Sequence, residues 1–170
     1  MPDKDSVQIG DTIYLFSSFP TTLTEQSTGQ SIDYSRSSGI GGTLNVSNLE
    51  HGDTVAGDAV FDFDYVNIKG RIYNDRSIPR PDGVQQLAWE EMGDKYELKV
   101  GIIPKRTGNY ILGIGNALSN GKGNTRNCEK ASFVITLTNT NQHFYLIEEW
   151  VPGISVDGYG KNRVYYFKVY

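Results

Sequence analysis

Apolar residues recur in this chain with a period of two. Tyr96, Leu98, Val100 and Ile102 alternate with Lys95, Glu97 and Lys99. Phe133, Ile135 and Leu137 share one parity, as do Tyr110, Leu112 and Ile114, and Leu44 with Val46. Tyr165, Phe167 and Val169 end the sequence in the same way, and Ile13 with Leu15 do so less cleanly, against Thr12, Tyr14 and Phe16. Side chains at this period leave an extended chain on alternate sides, so each segment is predicted as a strand with one buried face and one wet face. The pattern predicts an all-β fold, an antiparallel β-sandwich.

The sequence has 170 residues, enough for one domain with its own core. Residues 1–170 are read as that single domain, with 1–8 as an N-terminal tail or the remnant of a tether. Gly accounts for 19 positions, above the ordinary share of about 7%, which suits short strands and tight turns. Lys and Arg number 16 and Asp and Glu 20, a net charge of −4. Without a concentrated basic block, no nucleic-acid partner is expected. No apolar run approaches the ~18 residues of a membrane span. Cys128 stands alone, so an internal disulfide and a cysteine-based zinc site are both excluded. Residues 1–6 show neither a basic nor an apolar signal-peptide region.

Between the clear strands the pattern changes. Phe61, Phe63 and Tyr65 are odd while Val66 and Ile68 are even. A slip of one residue turns every later side chain to the wrong face, so a β-bulge is expected at Tyr65 or Val66. Pro79 and Pro81 place 74–83 in a loop. Residues 84–92 fit either a helix or a strand, with a hairpin into Tyr96 preferred. Residues 116–130 read as a long exposed loop. Phe144, Ile147 and Trp150 fall at helical spacing, predicting one short helix near 141–150, capped by Asn141 and ended by Pro152 and Gly153. Residues 153–162 form the final loop.

Gly108-Asn109-Tyr110 enters a strand in the manner of the tyrosine corner of immunoglobulin-like sandwiches, where the phenol bonds back to upstream backbone. Antibody domains carry a cysteine two residues later, and here that position is Leu112. The predicted fold is therefore Ig-like in broad architecture. Gly108 and Tyr110 are structural candidates, with the Tyr110 ring buried. Val164–Tyr170 is expected inside a sheet.

Chemistry-bearing residues are sparse. Asp62 and Asp64, at i and i+2, would share a strand face and are the one weak metal candidate, for Ca²⁺, or an acid/base pair. Glu90-Glu91 and Glu148-Glu149 are adjacent pairs, which on a strand point to opposite faces. His51 and His143 lack a nucleophile elbow: Gly29-Gln30-Ser31 and Gly153-Ile154-Ser155 each continue to Asp where Gly is needed. Gly115 to Gly121-Lys122-Gly123 misses the phosphate-loop spacing, and Gly39-Ile40-Gly41-Gly42 lacks the strand–turn–helix setting. No catalytic residue and no cofactor is expected. Exposed aromatics stack on sugars or anchor partners, and Tyr159, Trp89 and Trp150 are the candidate binding residues.

Val7-Gln8-Ile9-Gly10-Asp11-Thr12-Ile13-Tyr14 and Thr28-Gly29-Gln30-Ser31-Ile32-Asp33-Tyr34-Ser35, followed by Gly108-Asn109-Tyr110 and Tyr165-Tyr166-Phe167-Lys168-Val169, resemble secreted lipoproteins of Bacteroidetes-type bacteria. The resemblance is diffuse, spans most of the chain and carries no catalytic residue. It implies a β-sandwich outside the inner membrane, at the cell surface or in the periplasm. The lipobox cysteine of such proteins is absent from this chain, so a lipid tether is an expectation for the full-length protein. Asp5-Ser6-Val7, Asp11-Thr12-Ile13 and Asp53-Thr54-Val55 resemble the O-glycosylation sites of those bacteria, whereas the Asn45-Val46-Ser47 sequon is read as accidental. The expected role is a non-catalytic binding or structural module with a glycan or envelope protein as partner. The rivals are a fimbrial-type assembly subunit joined by strand exchange and a small carboxylate-dependent glycoside hydrolase.

Overall fold

A computed structural model describes residues 4–37, 39–49, 56–79, 81–119, 132–137, 143–151, 153 and 163–170. The strands are β1 (Ser6–Val7), β2 (Ile13–Pro20), β3 (Thr22–Thr24), β4 (Ser31–Asp33), β5 (Ile40–Asn48), β6 (Gly57–Asp58) and β7 (Phe63–Lys69). They continue as β8 (Arg71–Tyr73), β9 (Val84–Met92), β10 (Lys95–Pro104), β11 (Gly108–Ile114), β12 (Ala117–Ser119) and β13 (Ser132–Phe133). Helix α1 (Phe144–Trp150) precedes β14 (Val164–Val169). The fold is thus mostly β with one short helix. The main path of hydrogen-bonded neighbours runs β1-β14-β11-β5-β9-β10-β2, and one sheet curls into a half-barrel. The β3–β4 hairpin stands apart as a separate pair.

The alternation that defines the strands also builds the core. Ile13, Leu44, Val46, Leu98, Val100, Ile102, Leu112 and Phe167 are buried in one cluster that joins both halves of the sheet. Residues 84–92 are a strand. β9 turns into β10 through Gly93, with φ +66°, and closes on the Met92–Lys95 pair. β14 lies between β1 and β11, pairing Tyr110 with Phe167. Its inward residues Tyr165 and Phe167 enter the main core, and its outward Tyr166 is covered by Leu146, Ile147 and Trp150 of α1. That helix starts at Phe144, from His143 in the left-handed region (φ 53°). Asn141 lies outside the described residues.

Several expectations are corrected. Val60–Asp62 form a 3-10 turn rather than strand, so the shared parity of Phe61 and Phe63 carries no meaning: Phe61 is exposed and Phe63 buried. The bulge comes later than Tyr65–Val66. Lys99 pairs with Lys69 and Val100 with Asn67, which makes Ile68 the extra residue. Val66 and Ile68 therefore stay on the exposed face. Part of the anticipated 116–130 loop is β12, with Ala117 fully buried. Of the strand read over Phe133–Leu137, only Phe133 is paired. Residues 134–137 keep a strand's alternating burial with no ladder partner among the described residues. The N-terminal segment is no loose tail where it is described. Ser6 and Val7 pair in parallel with Lys168 and Val169, and Val7 is buried. A parallel pairing across the whole chain length leaves no local signal in the sequence.

Candidate functional site

Strand β2 is bonded along its length to β10, from Ile13 opposite Ile102 to Pro20 opposite Lys95. On its other side β2 has no ladder partner among the described residues. A strand edge of this kind offers a row of unsatisfied N–H and C=O groups. Facing it runs the unpaired segment 134–137. Between the two walls lies a cleft of about 600 Å³, bounded by Ser17 and Ser18 of β2, the β3–β4 hairpin, and residues 132–136.

The interior of the cleft is aromatic and its rim hydroxylic. Phe19 and Phe133 stack with centroids 5.9 Å apart, and Tyr34 meets Phe133 edge-on at 5.6 Å. Ser17, Ser18, Thr24, Ser27, Ser132 and Thr136 supply hydroxyls at the border. Glu25 is the one carboxylate among the lining residues. Hydroxyl groups of Thr28 and Ser27 donate to it and hold it below the ordinary carboxylate range. Tyr34 is fixed through its carbonyl, which accepts the Tyr96 hydroxyl at 2.8 Å. The Tyr96 phenol is pushed up first by burial and further by the Glu91 charge. Glu91 in turn accepts the Arg36 N–H at 2.8 Å, which anchors the chain where Arg36 takes a left-handed φ of 56°.

Past Ser17 and Ser18 the cleft opens into a second hollow of about 380 Å³, whose lining includes Leu15, Leu87, Trp89, Leu98, Ile114 and Leu137. Core side chains are here the floor of a surface feature. Trp89 is only 6% exposed, packed over Gly42, where an added Cβ would lie 3.1 Å from its Cζ3. Its buried Nε1–H meets no acceptor among the described residues. Leaving a buried donor unpaired costs about 1–3 kcal/mol. Phe16 also borders the hollow and continues onto the outer sheet face, where Tyr14, Phe16, Val66 and Ile68 are exposed and the Lys99 ammonium sits 5.5 Å from the Tyr14 ring centroid.

The residues singled out from sequence are not brought together. Tyr159 and His51 lie outside the described residues. Trp150 is 1% exposed beneath Tyr166, and Trp89 belongs to the core, so neither indole is the surface stacking platform anticipated. A wide aromatic covers apolar neighbours best when it is fully inside. Asp62 sits in the 3-10 turn and not on a strand face shared with Asp64. It takes Arg106 Nη1 at 3.2 Å and the Tyr110 hydroxyl at 3.2 Å, while Asp64 pairs with Lys105 at 3.0 Å. Among the described residues no group of three or more His, Cys, Asp or Glu is placed to hold a metal ion. Glu90 accepts the Gly70 N–H, and Glu149 pairs with Lys168. His143 is buried against the Tyr166 carbonyl.

Tyr110 matches its expectation. It is fully buried, and its hydroxyl donates back to the Arg106 carbonyl at 3.3 Å as well as to Asp62. Burial first, then the Asp62 charge, raises its pKa. Gly108 permits the approach, because with φ +155° an added Cβ would stand 3.2 Å from the Tyr110 ring. The cleft itself went unread in the sequence. Ser17-Ser18 interrupting an apolar strand was its one local trace.

Comparison with protein-family models, with curated proteins and with solved structures finds no match to this chain.

Proposed function

We propose that this chain is a non-catalytic binding module of the cell envelope, built on an Ig-like β-sandwich and held outside the inner membrane. Its cleft takes an extended polypeptide segment from an envelope protein. The observation that carries this reading is the pair of backbones, β2 and 134–137, that have no ladder partner on the cleft side among the described residues. A strand laid between them gains ladder bonds on its β2 side, each worth a net ~0.5–1.5 kcal/mol. Its inward side chains rest against the partly buried Phe19, Phe133, Ile135 and Leu137. Its outward side chains extend the apolar surface of Tyr14 and Phe16. The extracytoplasmic setting rests on the lipoprotein resemblance.

A single carboxylate at the rim and no His or Cys among the described lining residues favour binding over hydrolysis. Fimbrial-type assembly would use the same cleft with a second copy as donor. Residues 163–170 do not suit the donor's role, since β14 is paired on both sides.

The test is selection of displayed peptides against the folded protein. Binders with alternating apolar residues are expected, with slowed amide exchange at residues 15–19 on binding. Ser17→Lys, which puts a charge on the edge, should abolish the interaction. Binders that leave residues 15–19 unchanged, or that tolerate Ser17→Lys, would refute the cleft. Concentration-dependent polymers lost in Ser17→Lys would move the assignment to the assembly subunit.

A further inference from the structure

We infer a second binding site, for a uronic-acid unit of an anionic glycan, on the outer face of the curled sheet. Register builds it in two rows. Arg71 of β8 stands opposite Ala88 of β9, Ala88 opposite Gly41 of β5, and Gly41 opposite Leu118 of β12. In the next row Tyr73 faces Gln86, and Gln86 faces Thr43. The Gly115 N–H donates to the Thr43 carbonyl, which brings Asn116 to the end of that row. The intervening row, Ile72, Leu87 and Gly42, is buried, so both rows point outward. Because Gly41 and Ala88 have almost no side chain, the first row sinks in the middle. The resulting hollow is about 310 Å³, at the small end of the range for small-molecule sites.

Its chemistry is one-sided. The Arg71 guanidinium lies over the Tyr73 ring at 5.7 Å from the centroid and has no carboxylate partner among the described residues. Among the described residues no acid lines the hollow, although the whole chain carries −4. The nearest carboxylate along β9, Glu90, is engaged with the Gly70 N–H. A fork of N–H donors fits a carboxylate in two parallel bonds. The exposed Tyr73 ring can carry the apolar face of a sugar, and Gln86, Asn116 and Thr43 offer the amides and hydroxyl that match its hydroxyl groups. Small size, a cation over an aromatic ring and neutral polar side chains together describe a monosaccharide unit with a carboxylate. None of these side chains lines the cleft, so this site stands or falls separately from the polypeptide reading.

The experiment is calorimetric titration of the whole chain with trimers of galacturonate, glucuronate and mannuronate, beside the neutral galactose trimer and sulfated dextran. At least one uronate should bind, more weakly as salt rises, and the neutral trimer should not. Arg71→Gln should weaken binding about tenfold or more. Ala88→Leu, which fills the hollow and leaves the charge, should do the same, with thermal midpoints confirming that both variants are folded. Ser17→Lys should bind as wild type does. The inference is overturned if no uronate binds at millimolar concentration, if the neutral trimer binds equally, if sulfated dextran alone binds, if Arg71→Gln is without effect, or if Ser17→Lys removes binding.

Discussion

Removing one oxygen at Tyr110 isolates the contribution of the corner. In Tyr110→Phe the ring keeps its contacts with Phe63, 4.8 Å away, and Phe167, 5.8 Å away. What is lost is a hydroxyl shared between Asp62 Oδ2 at 3.2 Å and the Arg106 carbonyl at 3.3 Å. Both distances exceed the 2.7–2.8 Å of a good O–H···O bond, so the pair counts as about one bond. Asp62 retains Arg106, which limits the penalty of an orphaned acceptor. The expected loss is about 1 kcal/mol. Tyr110→Ala also removes the ring and leaves a cavity, for about 3–5 kcal/mol. Urea titration reads the difference. With a slope near ~2 kcal/mol/M, Tyr110→Phe should lower the midpoint by about 0.5 M at unchanged slope. A midpoint equal to that of wild type would remove the hydrogen-bond argument. A loss as large as in Tyr110→Ala would show that the hydroxyl organises the corner as a whole.

Two further substitutions test other parts of the fold. Gly70 has φ +64°, and a methyl there would be driven into the Ala88 carbonyl oxygen, with the Glu97 carbonyl 3.1 Å away. Gly70→Ala should therefore cost at least about 2 kcal/mol by urea titration, and a loss under ~0.5 kcal/mol would contradict the sharp β7–β8 turn. Asp5 accepts hydrogen bonds from Tyr145 and Ser6, which hold its carboxyl below the ordinary carboxylate range, and the Tyr145 bond pushes that phenol up to about 12. A carboxyl lowered by folding stabilises above its unfolded value and loses that contribution as pH falls through the folded value. Hydrogen exchange at Lys168 and Tyr170, whose amides donate to the Asp5 and Val7 carbonyls, should thus rise below about pH 4, and already at neutral pH in Tyr145→Phe. Protection that stays flat from neutral to acid pH, after correction for intrinsic rates, would detach Asp5 from the β1 contact.

Where burial is one-sided, sequence parity reports it. Leu98 and Val100 against Glu97 and Lys99, or Tyr165 and Phe167 in β14, were legible because water and core make opposite demands on neighbouring residues. The signal fails where both faces are apolar. Tyr14 and Phe16 look as buried as Ile13 and Leu15 until the face they share is seen to be the outer one. Trp89 and Trp150 could not be placed because aromatic size alone does not tell floor from platform. The cleft is hardest of all: it follows from β2 having no second ladder partner among the described residues, and local patterning records which residues are strand but not how strands are ordered in a sheet. The hollow at Arg71 arises from Gly41 and Ala88 meeting across two strands, a coincidence set by register at a separation of 47 residues (88 − 41).

The parallel pairing of β1 with β14 has a mechanical consequence. Residue 4 enters β1 at the end opposite to where residue 170 leaves β14. A pull applied at these two positions slides one strand along the other. It loads the Lys168–Asp5, Tyr170–Val7 and Ile9–Tyr170 backbone bonds at once, together with the Tyr165 hydroxyl on the Lys4 carbonyl and the Tyr145 hydroxyl on Asp5. Bonds loaded in shear share the force, whereas bonds peeled from an end break in turn. A chain tethered near its first residues and drawn by a partner near its last would meet this clamp before any tension reached the core.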